Sequence, residues 1–503
     1  MRSVVILLAL LVGLAGESFA QGQALDSSPS AAGSDTAEVS GIFELSLEDA
    51  IRSAIIRSDE ARIARTEVEV AESQVGSARS AALPQIDANL GYTRTFRSMF
   101  DTGASVEIPD SLRFSPDPNL PLADRVRYLE EMAPLAGLGG MGALFGDLPF
   151  GQKNTYAATV SASQLLYSGG RVGAALDIAK NYRDAAESQL SEELSEVEFQ
   201  VRSAYYQALF ANELEEAARE ALAQAERFLE QEELRHEAGQ ASELDLLRAE
   251  VAYENLRPRL VEAQNAAELA QLNLLRLVGL PLNQEVALTS ELTPPSDPRV
   301  ELESPVDLDE LRSRPALMAL ERQVAIREGQ VKIARGEFLP SVALQMSYGR
   351  QIFPTDPFRF DTDWRTDWSA TIGVQIPIFT GLKRRAELDK ARVELEQAQL
   401  QLARTRKLIE LEYEQALGER RRALREIEAR AKTVEQAERV HDLTALRYER
   451  GLATQLEVSE ARLALLQART NHAQALMDYH TAEAKLARAT GRVSVGPTAR
   501  AGR

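Results

Sequence analysis

The residues with chemistry to offer an ion or a partner gather at two short turns. Residues 235–250 read RHEAGQASELDLLRAE and residues 447–462 read RYERGLATQLEVSEAR. Arg235 and Arg447, Gly239 and Gly451, Ala241 and Ala453, and Leu244 and Leu456 keep step at an offset of 212. Each glycine suits the left-handed residue that ends a helix, and Ser242 or Thr454 suits the N-cap of the next. Carboxylates follow: Glu243 and Asp245 after the first turn, Glu457 and Glu460 after the second. Their ordinary role is helix-start chemistry, because acidic side chains are stabilised at the positive end of the helix dipole. No Ser/His/Asp set, glycine-rich phosphate loop or HExxH motif accompanies them, so no catalytic residue is assigned. The four histidines (236, 441, 472 and 480) are dispersed, and His472 falls in a helical packing stripe.

The whole chain sets the context for these turns. It has 503 residues, no cysteine and a formal net charge of −19. Without cysteine there is no disulfide framework, thiolate metal site or lipidated N-terminal cysteine. Four histidines and seven methionines give no support for dedicated metal export, and no cofactor is implied. The acidic balance argues against a nucleic-acid binder, which needs a basic face. Arg2, the apolar run VVILLALLVGLAG (4–16) and Ser18-Phe19-Ala20 have the form of a secretory signal peptide over 1–20. Thirteen apolar residues are too few to span a bilayer as a helix, which needs ~20. No later segment is apolar for 18 residues, so an exported protein without a transmembrane helix is expected.

The repeat extends far beyond the turns. TYAATVSASQLLYSGG (155–170) answers to DWSATIGVQIPIFTGL (367–382), again at 212, and RLVGLP (276–281) to RATGRV (488–493). VGSARSAALPQIDANLGY (75–92) answers to VKIARGEFLPSVALQMSY (331–348) at 256, so the first copy carries a 44-residue insertion. Each copy begins with a helix, over 46–82 in the first, that Pro84 or Pro340 ends. Alternation then predicts strands. Ile86, Ala88, Leu90 and Tyr92 share a face, as do Val342, Leu344, Met346 and Tyr348; Trp368, Ala370, Ile372, Val374 and Ile376 make the clearest case. The opposite faces are small or polar. In a soluble sandwich the apolar face would be the core; in a membrane barrel it would meet lipid. Four strands cannot close round a pore, so the barrel reading requires several chains to share one.

After each second strand the chain turns helical. From 171 to about 235 there is no proline, and Leu190, Leu194, Val197, Val201, Ala204 and Ala208 follow a heptad seam. Helices return from about 242 to 278 and from 454 to 489, the first containing Pro258, which is expected to bend it or mark a local irregularity. The last carries two apolar stripes, one through Ala461, Leu465, Ala468 and His472, which suits a helix packed between two neighbours; isolated coiled-coil hairpins fit the helix pattern equally well.

Helix, LP-strand, strand, FTG or YSG, long helix, RxExG turn and returning helix, written twice behind a signal peptide, resemble the TolC-like outer membrane efflux protein family over about 43–493. FLPS (338–341) and SRPAL (313–317) are weak alone; their order and duplication are specific. The resemblance implies a mainly α fold with a small β part. A long periplasmic α-helical barrel would continue into a β-barrel to which each of three chains gives four strands. It implies a homotrimer in outer membrane lipid that extends into the periplasm and works with a periplasmic adaptor and an inner-membrane transporter. Gly239, Gln240, Ala241 and Ser242, with Gly451, Leu452, Ala453 and Thr454, would form the adaptor-docking turns. Glu457 and Glu460 match an inward-facing acidic pair, and Asp245 and Tyr448 match positions that hold the tip closed. A ring of carboxylates would favour cations. Where the family has a tip arginine this chain has Ala453, with Arg450 nearby.

The expected layout is a signal peptide (1–20), an unstructured linker (21–41), a first repeat (42–300), a second repeat (301–493) and a floppy tail (494–503). The first repeat holds strands at about 84–96 and 154–168, an external loop at 95–154 containing AGLGGMGALFG (136–146), and a helix hairpin at 171–278. The second holds strands at about 340–353 and 366–380 and a hairpin at 382–489. The expected function is a passive, gated exit duct for efflux or type I secretion. The rival is a secreted or periplasmic coiled-coil adaptor or structural protein without channel activity.

Overall fold

A computed structural model describes residues 43–97, 117–131, 133, 153–294, 311–354, 356 and 364–491. The expected signal peptide, the linker at 21–41, the apolar run at 136–146 and the tail at 494–503 lie outside the described residues. The chain divides into two units. The smaller, Met1–Glu44 with Gln284–Ala287, holds most of a two-stranded sheet of β1 (Phe43–Leu45) and β4 (Val286–Leu288), in which Phe43 N–H donates to Glu285 O at 3.1 Å. The larger unit carries everything below.

The helix expected over 46–82 is two helices, α1 (Leu47–Arg57) and α2 (Asp59–Ser80). Ser58 between them, at φ −58° and ψ 145°, leaves helical geometry and caps both ends. Its N–H donates to Ala54 O, and its hydroxyl accepts from Ala61 N at 3.2 Å. Asp59 and Glu60 then start α2 with the charge its N-terminus prefers. Local capping chemistry thus overrides an uninterrupted helical period.

Four strands, β2 (Gln85–Arg94), β3 (Asn154–Tyr167), β5 (Ser341–Ile352) and β6 (Arg365–Gln375), form an antiparallel sheet in the order β2-β3-β5-β6. The register aligns Tyr92 with Tyr156, Val160 with Tyr348, and Tyr348 with Trp368. Because side chains alternate along a strand, Leu90, Val160, Met346 and Ile372 share one face while Asn89, Ser161, Ser347 and Thr371 share the other. Both edge strands, β2 and β6, are exposed along their whole length. At ~3.3 Å per residue and a ~45° tilt, an 11-residue strand rises ~25 Å, the height of the apolar band of an outer-membrane barrel.

The helices are α3 (Arg171–Glu237), α4 (Glu243–Val278), α5 (Pro315–Gly336), α6 (Lys383–Glu449) and α7 (Gln455–Ala489). Both α3 and α6 run 67 residues, ~100 Å at ~1.5 Å per residue. α3 packs against α2, α4, α5 and α7, and α6 packs against α5 and α7. Two neighbours for α7 account for its two apolar stripes. Pro258 sits inside an unbroken α4. Alanine dominates the interior, which lets the helices approach closely; Val197, Val201, Ala204 and Ala208 of the α3 seam are all buried. Where α3, α5 and α6 meet, the Arg314 side chain, only 4% exposed, bonds Glu192 at 2.8 Å and Glu412 at 2.7 Å. α2 and α5, β2–β3 and β5–β6, and the hairpins α3–α4 and α6–α7 are the two copies of one plan.

Candidate functional site: the paired helical tips

Each hairpin turns by the same device. Gly239 (φ 69°) and Gly451 (φ 73°) adopt left-handed geometry. Gln240 N–H reaches back to Arg235 O at 2.7 Å, and Leu452 N–H to Arg447 O at 2.8 Å. Gly239 N–H bonds His236 O and Gly451 N–H bonds Tyr448 O, both at 2.9 Å. These pairs are the Schellman closure that satisfies the last carbonyls of a helix. Ser242 Oγ then accepts from Asp245 N at 3.2 Å to start α4. Thr454 Oγ1 accepts from Glu457 N at 3.3 Å, while Glu457 Oε2 accepts from Thr454 N at 2.6 Å, a reciprocal capping box.

That box fixes what Glu457 does within one chain: its carboxylate turns back on its own helix start. Hydrogen bonds from the Thr454 backbone and hydroxyl hold its pKa below the usual carboxylate value. Glu460 is exposed and makes no hydrogen bond or ion pair among the described residues. The two carboxylates therefore differ, one committed to a cap and one open. Asp245 also works at a helix start, accepting from the Ser242 hydroxyl at 2.7 Å.

Tyr448 is where the two tips meet. Its hydroxyl donates to Glu232 Oε1 at 2.6 Å and accepts from Arg235 Nη1 at 2.8 Å. Arg235 also pairs with Glu232 at 3.1 Å, and the Glu232 side chain is 1% exposed. Burial, then the hydrogen bond and charge of Glu232, push the Tyr448 phenol up to about 12. Phe228 packs beside Tyr448, with ring centroids 5.9 Å apart, and Arg462 of α7 lies 5.5 Å over Phe228. A second tie joins the turns, from Gln455 Nε2 to Asp245 O at 3.1 Å. Tyr448 thus bridges the hairpins through its side chain, whereas Asp245 meets the second hairpin through its backbone carbonyl and turns its carboxylate to Ser242. Arg235 is the arginine on Tyr448, and Arg450 is the C-cap of α6.

Glu232 and Arg235 are not identifiable as partners of Tyr448 from the sequence. Arg235 stood in the repeated motif, but nothing local marks Glu232, which the offset of 212 aligns with Thr444. Among the described residues no three His, Asp or Glu side chains converge as a metal site, and no helix is long and apolar enough to cross a membrane.

Residues 138–280 and 309–492 match the family described as outer membrane efflux protein. The chain belongs to that family. It is 27% identical to Protein CyaE of Bordetella pertussis, over 69% of this chain and 73% of that one. It is 28% identical to the pyoverdine export outer membrane protein OpmQ of Pseudomonas putida, over 67% and 70%. The crystal structure of the Campylobacter jejuni CmeC outer membrane channel superposes with a TM-score of 0.70 at 17% identity, covering 88% of this chain and 85% of that one. The fold is that of TolC-like channels, in which a helical barrel continues into a β-barrel. The protein is an outer-membrane channel that reaches into the periplasm. Its relatives are channel proteins rather than enzymes.

Proposed function

We propose that three copies of the chain close one twelve-stranded barrel and one helical tunnel, forming a passive exit duct gated at the periplasmic tips. The observation that carries this reading is the open four-stranded sheet: β2 and β6 are exposed edges of matched length, ready to pair between copies. The helices support it, since Leu244, Leu247, Val251 and Leu269 of α4 and Val393, Leu400, Leu411 and Leu443 of α6 are exposed apolar side chains. These are the outermost helices, and a neighbouring copy would cover them.

The turns Gly239–Ser242 and Gly451–Thr454 are the proposed docking sites for a periplasmic adaptor, which connects the duct to an inner-membrane transporter that supplies the energy. Tyr448, held by Glu232 and Arg235, is the proposed latch between the two tips of one chain. Glu460 is the proposed lining carboxylate, with Glu457 and Asp245 supporting the helix starts beside it. Chemical cross-linking in detergent tests the assembly. A trimer whose cross-links join cysteines placed at positions 89 and 371 between copies is expected; a monomer, or cross-links only within copies, would refute it.

A further inference from the structure

We infer that Arg439 of α6 pairs with Glu250 of α4 in a neighbouring copy, and that this ion pair holds adjacent copies together just above the tips. This rests on the proposed reading that several copies close one tunnel. The duplication identifies the pair. α3 and α6 begin and end 212 residues apart, and α4 and α7 begin 212 apart, so each residue of one hairpin has a counterpart in the other. Within the chain, α3 of the first hairpin packs against α7 of the second. The counterpart of that seam joins α6 to α4. In one chain α4 packs on α1 and α3, and α6 on α5 and α7, so the α6–α4 seam forms between copies. Such a head-to-tail contact generates a ring when its rotation closes.

The exposed surfaces agree. Leu408, Leu411 and Val440 of α6 and Val261 of α4 are exposed apolar residues, and their counterparts Glu196, Phe199, Phe228 and Ala473 border the α3–α7 seam. Charged pairs cross that seam: Arg488 with Glu196 at 2.9 Å, Arg469 with Glu220 at 3.7 Å, and Arg462 beside Arg227. Their counterparts are Arg276 with Leu408, Arg257 with Lys432, and Glu250 with Arg439. Arg276 is engaged by Glu60, and Arg257 and Lys432 pair on their own helices with Glu254 and Glu428. Glu250 and Arg439 are exposed, and among the described residues neither makes a hydrogen bond or ion pair. The seam within the chain thus sets like charges together where the seam between copies sets opposite ones. Burial, then the charge of Arg227, hold Arg462 below the ordinary arginine value, and its guanidinium settles 5.5 Å over Phe228. Between copies Glu250 takes that place over Val440, within reach of Arg439.

The pair matters because the latch is not repeated between copies. Tyr448, Glu232 and Arg235 align with His236, Thr444 and Arg447, a set without phenol or carboxylate. The tie from Gln455 to Asp245 O becomes Glu243 against the Glu457 carbonyl, two acceptors that cannot bond. At ~1.5 Å per residue, Glu250 lies ~11 Å into α4 and Arg439 ~15 Å before the end of α6. Neighbouring copies are therefore joined above the turns rather than at them, and losing the pair favours the open duct.

The chain has no cysteine, so an introduced pair reports one contact. E250C/R439C, treated in detergent with a short bifunctional thiol reagent, should give covalent dimers and trimers on a denaturing gel. The counterpart pair, R227C/R462C, should link only within a chain and run as a monomer. Light scattering on untreated protein counts the copies separately. A trimer in which E250C/R439C does not join copies would overturn this contact and leave the shared tunnel standing; a monomer would overturn both. Charge exchange follows the same contact by single-channel recording. R439E and E250R should each raise the open fraction by up to about fivefold, the range of an exposed ion pair. E250R/R439E should return it to within about twofold of wild type, as expected for residues that act through each other. A double variant no closer to wild type than either single one would overturn the ion pair.

Discussion

Replacing Tyr448 by phenylalanine removes one hydroxyl and keeps the ring beside Phe228, so it isolates the latch. The hydroxyl donates to Glu232 at 2.6 Å and accepts from Arg235 at 2.8 Å. With the Glu232 side chain 1% exposed, water cannot readily take its place, and the carboxylate keeps only Arg235. Hydrogen bonds to charged groups contribute ~1.5–3 kcal/mol. Arg235 is 36% exposed, which favours the lower end, ~1.5 kcal/mol, or about tenfold in the ratio of closed to open tips. Single-channel recording of the purified protein reads this ratio directly, and hydrogen exchange over 444–450 reads the same loosening without conduction. An open fraction within twofold of wild type, with unchanged exchange, would refute the latch. The pH dependence has a definite sign. A phenol raised to about 12 means that the folded tip holds the proton more tightly than the unfolded chain does. Its contribution is complete below about pH 10, the ordinary tyrosine pKa, and is lost as pH rises toward about 12. Between pH 6 and 9 the latch should be insensitive to pH.

Other outcomes follow from the same geometry. Glu460→Gln should lower cation selectivity, read as reversal potential in a salt gradient, more than Glu457→Gln does, because the Glu457 carboxylate is turned onto the Thr454 cap. The Glu457 cap, with its depressed pKa, should hold above the ordinary carboxylate range and loosen as pH falls through it, seen as faster exchange at 454–458 in acid. Gly451→Ala meets nothing within 4 Å but forces a side chain to φ 73°; it should cost ~1–2 kcal/mol locally and increase proteolysis at the turn. Arg314→Ala leaves Glu192 and Glu412 without their shared partner and should cost ~3–5 kcal/mol in thermal unfolding, with Arg314→Met costing less.

Duplication made much of the fold legible. The alignment of Pro84 with Pro340 and of Ser168-Gly169 with Thr380-Gly381 marked where period 3.6 gives way to period 2 and back. Gly239 and Gly451 were readable as left-handed turn residues because a Schellman closure is local chemistry. What stayed hidden depends on contacts far apart in sequence. Glu232 and Tyr448 are 216 residues apart, and no local pattern distinguishes Glu232 from the other glutamates of α3. The break at Ser58 is hidden for a different reason: Ser-Asp-Glu is a helix-start signal, but neither proline nor glycine marks a stop before it. The acidic pair after the second turn reads alike in sequence, and only the capping-box geometry separates Glu457 from Glu460.

The most direct test of the duct is the oligomeric state and conductance of the detergent-purified protein in a planar lipid bilayer, measured on one preparation. A trimer giving discrete, cation-selective steps is predicted. A soluble monomer without conductance would contradict the account.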